Sequence, residues 1–253
     1  MKNPVNKSIH QFLIKKCNKT LSVDRPVSVI TCTNKEGSIN NILDNFNRQN
    51  IDLKELLIII NNNKIDEYKW RNKILEYQNI RIFKIDESTS LGRCLNFGVH
   101  KAKHDIIAKF DDDDYYGPKY LSDSIRHFDY TNASLIGKAT IFVYFIENKT
   151  LAVKDPGLEN RYVNFINGSS FIFKKDLFNF VQFRDVSISE DLLFCIDCID
   201  RGLKIYSGNP YHLVYIRHST LDKHTWQISN NDLMKLYCHN LGQVDDFIPY
   251  VDI

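Results

Sequence analysis

Apolar and polar positions alternate along the chain in blocks that predict strands and helices by turns. Val27-Ser28-Val29-Ile30 is a β-branched run that ends in Thr31-Cys32-Thr33-Asn34, the pattern of a buried parallel strand feeding a polar loop. Ser38 stands where a helix cap is expected, and Ile39, Ile42, Leu43 and Phe46 then recur at helical spacing. Glu55 to Ile60 predicts a second strand, stopped by Asn61-Asn62-Asn63. A helix over 66–77 and the strand Ile80 to Phe83 follow. Leu91, Cys94, Leu95, Gly98, Val99 and Ala102 mark one face of another helix. Asp105 to Phe110 predicts a fourth strand, running into Asp111-Asp112-Asp113-Asp114.

Strands alternating with helices imply a parallel sheet covered on both sides, with ligands bound beyond the carboxyl ends of its strands. Thr31 to Asn34, Asn61 to Asn63 and Asp111 to Asp114 all fall at such ends. The second half reads differently. Leu135 to Phe145, Phe171 to Phe173 and Tyr211 to Arg217 predict strands, and Ser189 to Arg201 predicts a helix closed by Gly202. The expected organisation is an N-terminal extension over 1–25 and one α/β domain over 26–253. Within it, a Rossmann-like, nucleotide-binding half over 26–118 precedes a mixed-sheet, acceptor-binding half over 119–253.

Composition narrows the class. The 253 residues are 43% hydrophobic and 25% charged, enough to bury a full core. A net charge of +2 without a Lys/Arg block gives no reason to expect nucleic acid. No apolar run approaches a membrane span or a secretory signal, so a cytoplasmic protein with reduced thiols is expected. Cys195 and Cys198 form a lone C-x-x-C in a helical pattern, with no second pair to complete a zinc site; both read as small core residues.

Four consecutive aspartates after a buried strand are the sharpest chemical signal. Unpaired, they repel one another and raise each other's pKa. A hard divalent cation, Mn²⁺ or Mg²⁺, relieves that repulsion and offers open positions to substrate phosphates. The alternative, a solvated acidic turn, fits less well with a position at the ligand end of the sheet.

The stretch LNFGVHKAKHDIIAKFDDDDYYGPKYL resembles the family 2 glycosyltransferases, which have the GT-A fold. The resemblance rests on Leu95, Asn96 and Gly98, then Asp111, Asp113 and Asp114, then Pro118, and extends from about Pro26 to about Trp226. It implies an inverting transfer of sugar from a nucleotide diphosphate donor, UDP in the first instance, to a glycan, a lipid-linked sugar or a protein. On this resemblance Asp113 is the direct metal ligand, with Asp111 its D-x-D partner, and Asp111 or Asp112 reaches the donor's ribose or sugar. Thr31 and Thr33 match positions lining the base pocket. Asn62, or Asn61, stands where many members have an Asp that binds the base, and an amide can both accept and donate there. Arg93 is a candidate partner for the diphosphate, or equally an exposed helix residue.

On the acceptor side, Ile188-Ser189-Glu190-Asp191 resembles the family's E-D motif, with Asp191 as the base that takes the acceptor proton and Glu190 behind it. Both would equally suit a helix N-terminus. Gly168 and Ser169 match the loop that floors the acceptor site, or form a turn before the strand Phe171 to Phe173, and Trp226 stands either to stack on a sugar face or to pack in the core. His224, or else His218, matches a late residue that completes the metal shell. Two other readings remain open at this point. A nucleotidyltransferase would carry a Gly-rich loop with an Arg after the first strand, and this loop has one Gly. A binding module without catalysis would not need both acidic motifs.

Overall fold

The run Leu56-Leu57-Ile58-Ile59-Ile60 has no polar residue because both faces of its strand are buried. In the computed structural model, which describes residues 25–219 and 226–253, Leu56, Ile58 and Ile60 enter one core while Leu57 and Ile59 enter another across the sheet. This strand, β2 (Lys54–Ile60), lies beside β1 (Val27–Thr33), β3 (Ile80–Lys84) and β4 (Ile106–Lys109), all parallel, in the order β3-β2-β1-β4. The helix Leu91–Lys101 packs Cys94, Leu95 and Val99 on the Leu57 side. Its Gly98 lets the backbone close on Ile30, where a Cβ would lie 2.7 Å from the Ile30 Cγ2.

Past β4 the sheet changes direction. β10 (Ile172–Lys174) runs antiparallel between β4 and β6 (Leu135–Gly137), and β11 (Ile205–Ser207) and β9 (Arg161–Val163) complete eight strands in the order β3-β2-β1-β4-β10-β6-β11-β9. A second, five-stranded sheet has the order β13-β8-β7-β12-β5: β13 (Cys238–Gln243), β8 (Thr150–Lys154), β7 (Ile141–Phe145), β12 (Leu213–Arg217) and β5 (Tyr115–Tyr116). The fold is therefore mixed α/β, as expected from the sequence. Among the described residues no helix is long and apolar enough to cross a membrane.

Several local expectations change. The stretch Leu135 to Phe145 is two strands in two sheets, because the chain turns at Lys138–Thr140 and each strand pairs with a different partner. Strand β5 lies in the first half of the chain yet pairs with β12, so the second sheet draws on both sides of residue 118. Ser38 makes no cap bond; its hydroxyl meets Thr33 Oγ1 at 2.9 Å and the Lys35 carbonyl at 2.8 Å. Ser189, before the helix Glu190–Asp200, has φ +63° and caps nothing with its side chain. Cys195 and Cys198 are fully buried free thiols on one helix face, as the sequence suggested, and burial pushes each thiol up to about 12.

Candidate active site

The carboxyl ends of β1, β2 and β4, the turn before β10 and the start of the helix Glu190–Asp200 open into one cleft of about 780 Å³. Six carboxyl groups line it: Asp111, Asp112, Asp113, Asp114, Glu190 and Asp191. Three ammonium groups face them: Lys35, Lys109 and Lys154.

The four aspartates divide the work. Asp114 is the innermost, 1% exposed, and accepts a hydrogen bond from the Ile216 N–H at 3.1 Å, which anchors β12. Burial, with Asp113 and Asp111 nearby, raises its carboxyl well above the ordinary carboxylate range. Asp112 accepts from the Thr33 hydroxyl and, at 3.0 Å, from Lys35 Nζ. Its burial and the neighbouring Asp113 raise its pKa, with Lys35 and Thr33 opposing. Asp113 meets Lys35 Nζ at 2.7 Å. Asp111 receives the buried Lys109 ammonium. The backbone beneath is held from the side: Asn41 donates to the Asp112 and Asp114 carbonyls at 3.0 Å, and Asn45 to the Asp114 carbonyl at 2.8 Å.

Two lysines that carry no expected role therefore organise the acids. Lys35 loses stabilisation through burial, but Asp113 and Asp112 outweigh that loss and raise its pKa. Lys109 is more deeply buried, and Asp111 and Glu190 likewise outweigh its desolvation. A lysine inside the apolar run Ile106-Ile107-Ala108-Lys109-Phe110 was the available signal, since a buried ammonium must find a carboxylate. Tyr116 is a third such residue. Fully buried and stacked on Phe110, its hydroxyl accepts from the Asp111 N–H and donates to the Ser169 carbonyl, each at 2.7 Å.

The opposite wall carries the E-D pair. Glu190 is 7% exposed, and burial raises its carboxyl to about 7 even though Lys109 pulls the other way. Asp191 is half-buried and packs against Gly168, where a Cβ would lie 2.7 Å from the Asp191 Cβ and Oδ2. Ser169 also lines the cleft. Beyond them Trp226 and Tyr237 meet edge to face at 5.6 Å, and Lys154 Nζ lies 5.8 Å from the Trp226 ring centre.

Not every predicted site residue reaches the cleft. Thr31 is 1% exposed within β1, and the cleft lining begins one residue later at Cys32, continuing through Thr33, Asn34 and Lys35. Asn61 borders the cleft and donates from Nδ2 to the Asp86 carbonyl at 2.7 Å. Asn62 is instead turned into its own loop, donating to the Asn34 carbonyl and accepting from the Lys64 N–H, both at 2.8 Å. Arg93 is exposed on its helix, 3.8 Å from Asp185, and does not line the cleft because the face of the helix turned inward is the apolar one. His224 lies outside the described residues. His218 is not part of the lining, and its carbonyl accepts from Asn230.

Among the described residues no three His, Cys, Asp or Glu side chains converge as a preformed metal cage. Asp113 and Asp111 nevertheless suit a hard cation that takes one or two carboxylates and completes its shell with substrate phosphates and water. The opposing charge at Asp113 is the half-exposed Lys35 ammonium, and that at Asp111 is the buried Lys109 ammonium.

A sequence profile described as glycosyl transferase family 2 matches residues 28–183, more than half of the chain. The chain belongs to that family. Its fold is GT-A. Solved structures agree on the fold. S. aureus TarS 1-349 in complex with UDP-GlcNAc is similar over 76% of this chain and 58% of that chain, with 15% identity and a TM-score of 0.62. The mannosyltransferase PcManGT from Pyrobaculum calidifontis, in complex with GDP-Man and Mn²⁺, is similar over 86% of this chain and 65% of that chain, with 14% identity and a TM-score of 0.58. The chain spans about 60% of the length of the TarS 1-349 structure. No curated protein sequence matches it.

Proposed function

We propose that this chain is an inverting, metal-dependent glycosyltransferase, and that it moves a sugar from a nucleoside diphosphate, UDP first, to an acceptor hydroxyl. The observation that carries this reading is the charge balance of the cleft. Six carboxyl groups face three ammonium groups, and Lys154 also binds Asp155. A diphosphate entering such a site meets repulsion unless a divalent cation enters with it. Two solved relatives of the fold hold UDP-GlcNAc, or GDP-Man with Mn²⁺, which supports a nucleotide sugar as donor.

Asp113, with Asp111, would hold the cation, which when bound neutralises charge developing on the leaving diphosphate. Cys32, Thr33, Asn34 and Asn61 would receive the base and ribose. Asn61 commits its amide N–H to Asp86, which leaves its carbonyl oxygen to accept from a uracil N–H. Asp191 would take the acceptor's proton as its oxygen attacks the anomeric carbon from the face opposite the diphosphate, so configuration inverts. Gly168 and Ser169 would support the acceptor, and Trp226 would offer an apolar face to a sugar ring. Glu190, which its burial leaves about half protonated near pH 7, would stand behind Asp191 as a second proton acceptor.

The experiment is a screen of UDP- and GDP-sugars with and without Mn²⁺, read by thermal shift and by nucleotide release, on the wild type and Asp191→Asn. The expected result is Mn²⁺-dependent stabilisation by one donor in both proteins. Nucleotide release should fall by orders of magnitude in Asp191→Asn alone. Wild-type release in that variant would remove Asp191 as the base. Binding without any turnover by the wild type would favour a binding module.

A further inference from the structure

Lys35 stands in a loop between β1 and the helix Ile39–Asn47, and its ammonium bridges Asp112 at 3.0 Å and Asp113 at 2.7 Å. Its side chain is 41% exposed, so the stem can leave the pair without disturbing the core. Its two partners belong to the segment proposed above to bind the cation, and the inference rests on that reading. Nothing else among the described cations reaches Asp113, while Asp111 has Lys109 of its own.

We propose that Lys35 is a tethered counter-cation, which neutralises Asp112 and Asp113 while the cleft is empty and yields to the divalent cation only when a diphosphate arrives with it. A cation arriving alone must displace the ammonium and leaves it with no anion in exchange. A cation arriving with a nucleoside diphosphate brings phosphate oxygens into the same cleft, and the released ammonium, on a stem of four methylenes, can bind them. Lys35 thereby couples the two ligands. Each tightens the other, and by linkage each does so by the same factor.

The test measures Mn²⁺ binding directly, by the loss of the free-ion EPR signal, on the full chain with and without UDP. Lys35→Met and Lys35→Gln remove the charge while keeping most of the stem. Both should bind Mn²⁺ alone about tenfold or more tightly than wild type, and the factor by which UDP improves Mn²⁺ binding should shrink accordingly. Lys35→Arg should retain the wild-type coupling. If the neutral variants bind Mn²⁺ alone no better than wild type, while wild type still shows UDP-dependent Mn²⁺ binding, the counter-cation role is wrong and metal dependence stands. If wild type takes up no Mn²⁺ even with UDP or GDP present, metal dependence falls and the role of Lys35 falls with it.

Discussion

Adding one methyl group at Gly168 tests the acceptor side of the site with little other disturbance. A Cβ there would stand 2.7 Å from both the Cβ and Oδ2 of Asp191, and 3.0 Å from its Cγ. Carbon atoms in contact prefer about 3.5 Å or more, so Asp191 or the loop must retreat by roughly 0.8 Å. The Asp191 Cβ is tied to the first turn of its helix, and rotating the carboxylate away relieves only the Oδ2 contact. A catalytic group displaced by about 1 Å can lose on the order of 100-fold in rate. Gly168→Ala should therefore lower kcat for transfer by about 10- to 100-fold. Nucleotide affinity should be unchanged, because the donor-side acids are held by Lys35, Thr33 and Lys109 rather than by Gly168. Steady-state nucleotide release with saturating acceptor gives kcat, and calorimetry with UDP and Mn²⁺ gives the affinity. A kcat within twofold of wild type in a folded Gly168→Ala protein would refute the placement of Asp191 against the acceptor. A matched loss in UDP affinity would show that the loop supports the donor instead.

Asp113→Ala should abolish the Mn²⁺-dependent part of UDP binding, measured by calorimetry; unchanged affinity would move the cation elsewhere. Glu190 is raised from 4.5 to about 7, so its neutral form favours the native state below pH 4.5 and that contribution is lost as pH climbs through 7. Glu190→Gln should thus match wild-type stability near pH 4 and exceed it at pH 8 by up to about 3 kcal/mol in urea unfolding, and a constant difference across that range would contradict the burial argument. Tyr116→Phe strips the Asp111 N–H and the Ser169 carbonyl of their shared partner. It should cost about 2 kcal/mol of stability, measured by the same unfolding, with a neutral outcome excluding the hydroxyl as a tie between the two walls.

The half of the fold built from parallel strands was legible because its strands are buried on both faces and read as unbroken apolar runs. In the second sheet β7 and β12 were legible, but β8 and β13 were not, since they carry Thr150, Lys154, His239 and Asn240 among their residues and break any simple period. Short strands such as β5 and β9 owe their existence to partners far along the chain. The acidic cluster and the E-D pair were visible as residue types at the ends of elements. How deep each acid sits was not, because Asp114 is drawn inward by the Ile216 N–H, far along the chain, while Asp113 meets the half-exposed Lys35. Arg93 was an expected diphosphate partner on a helix whose other face is apolar, and the structure turns it outward. Lys35 and Lys109 passed as ordinary loop and strand residues, although a lysine in the middle of a buried strand is a question that only a nearby acid answers.

Strand β4 has a consequence for how specificity can change. Its end is hydrogen-bonded on both sides, Lys109 N–H to the Phe171 carbonyl at 2.8 Å and, one residue beyond the strand, Phe110 N–H to the Ile30 carbonyl at 3.0 Å. One flank belongs to the parallel strands and the other to the antiparallel ones, so the acidic segment after β4 is held at ladder spacing from both the β1 loop and the Gly168–Ser170 turn, not by a hinge. New donors or acceptors must then be accommodated by rewriting loop side chains around an invariant span, and grafting the cleft's rim onto a sister scaffold should carry its selectivity along.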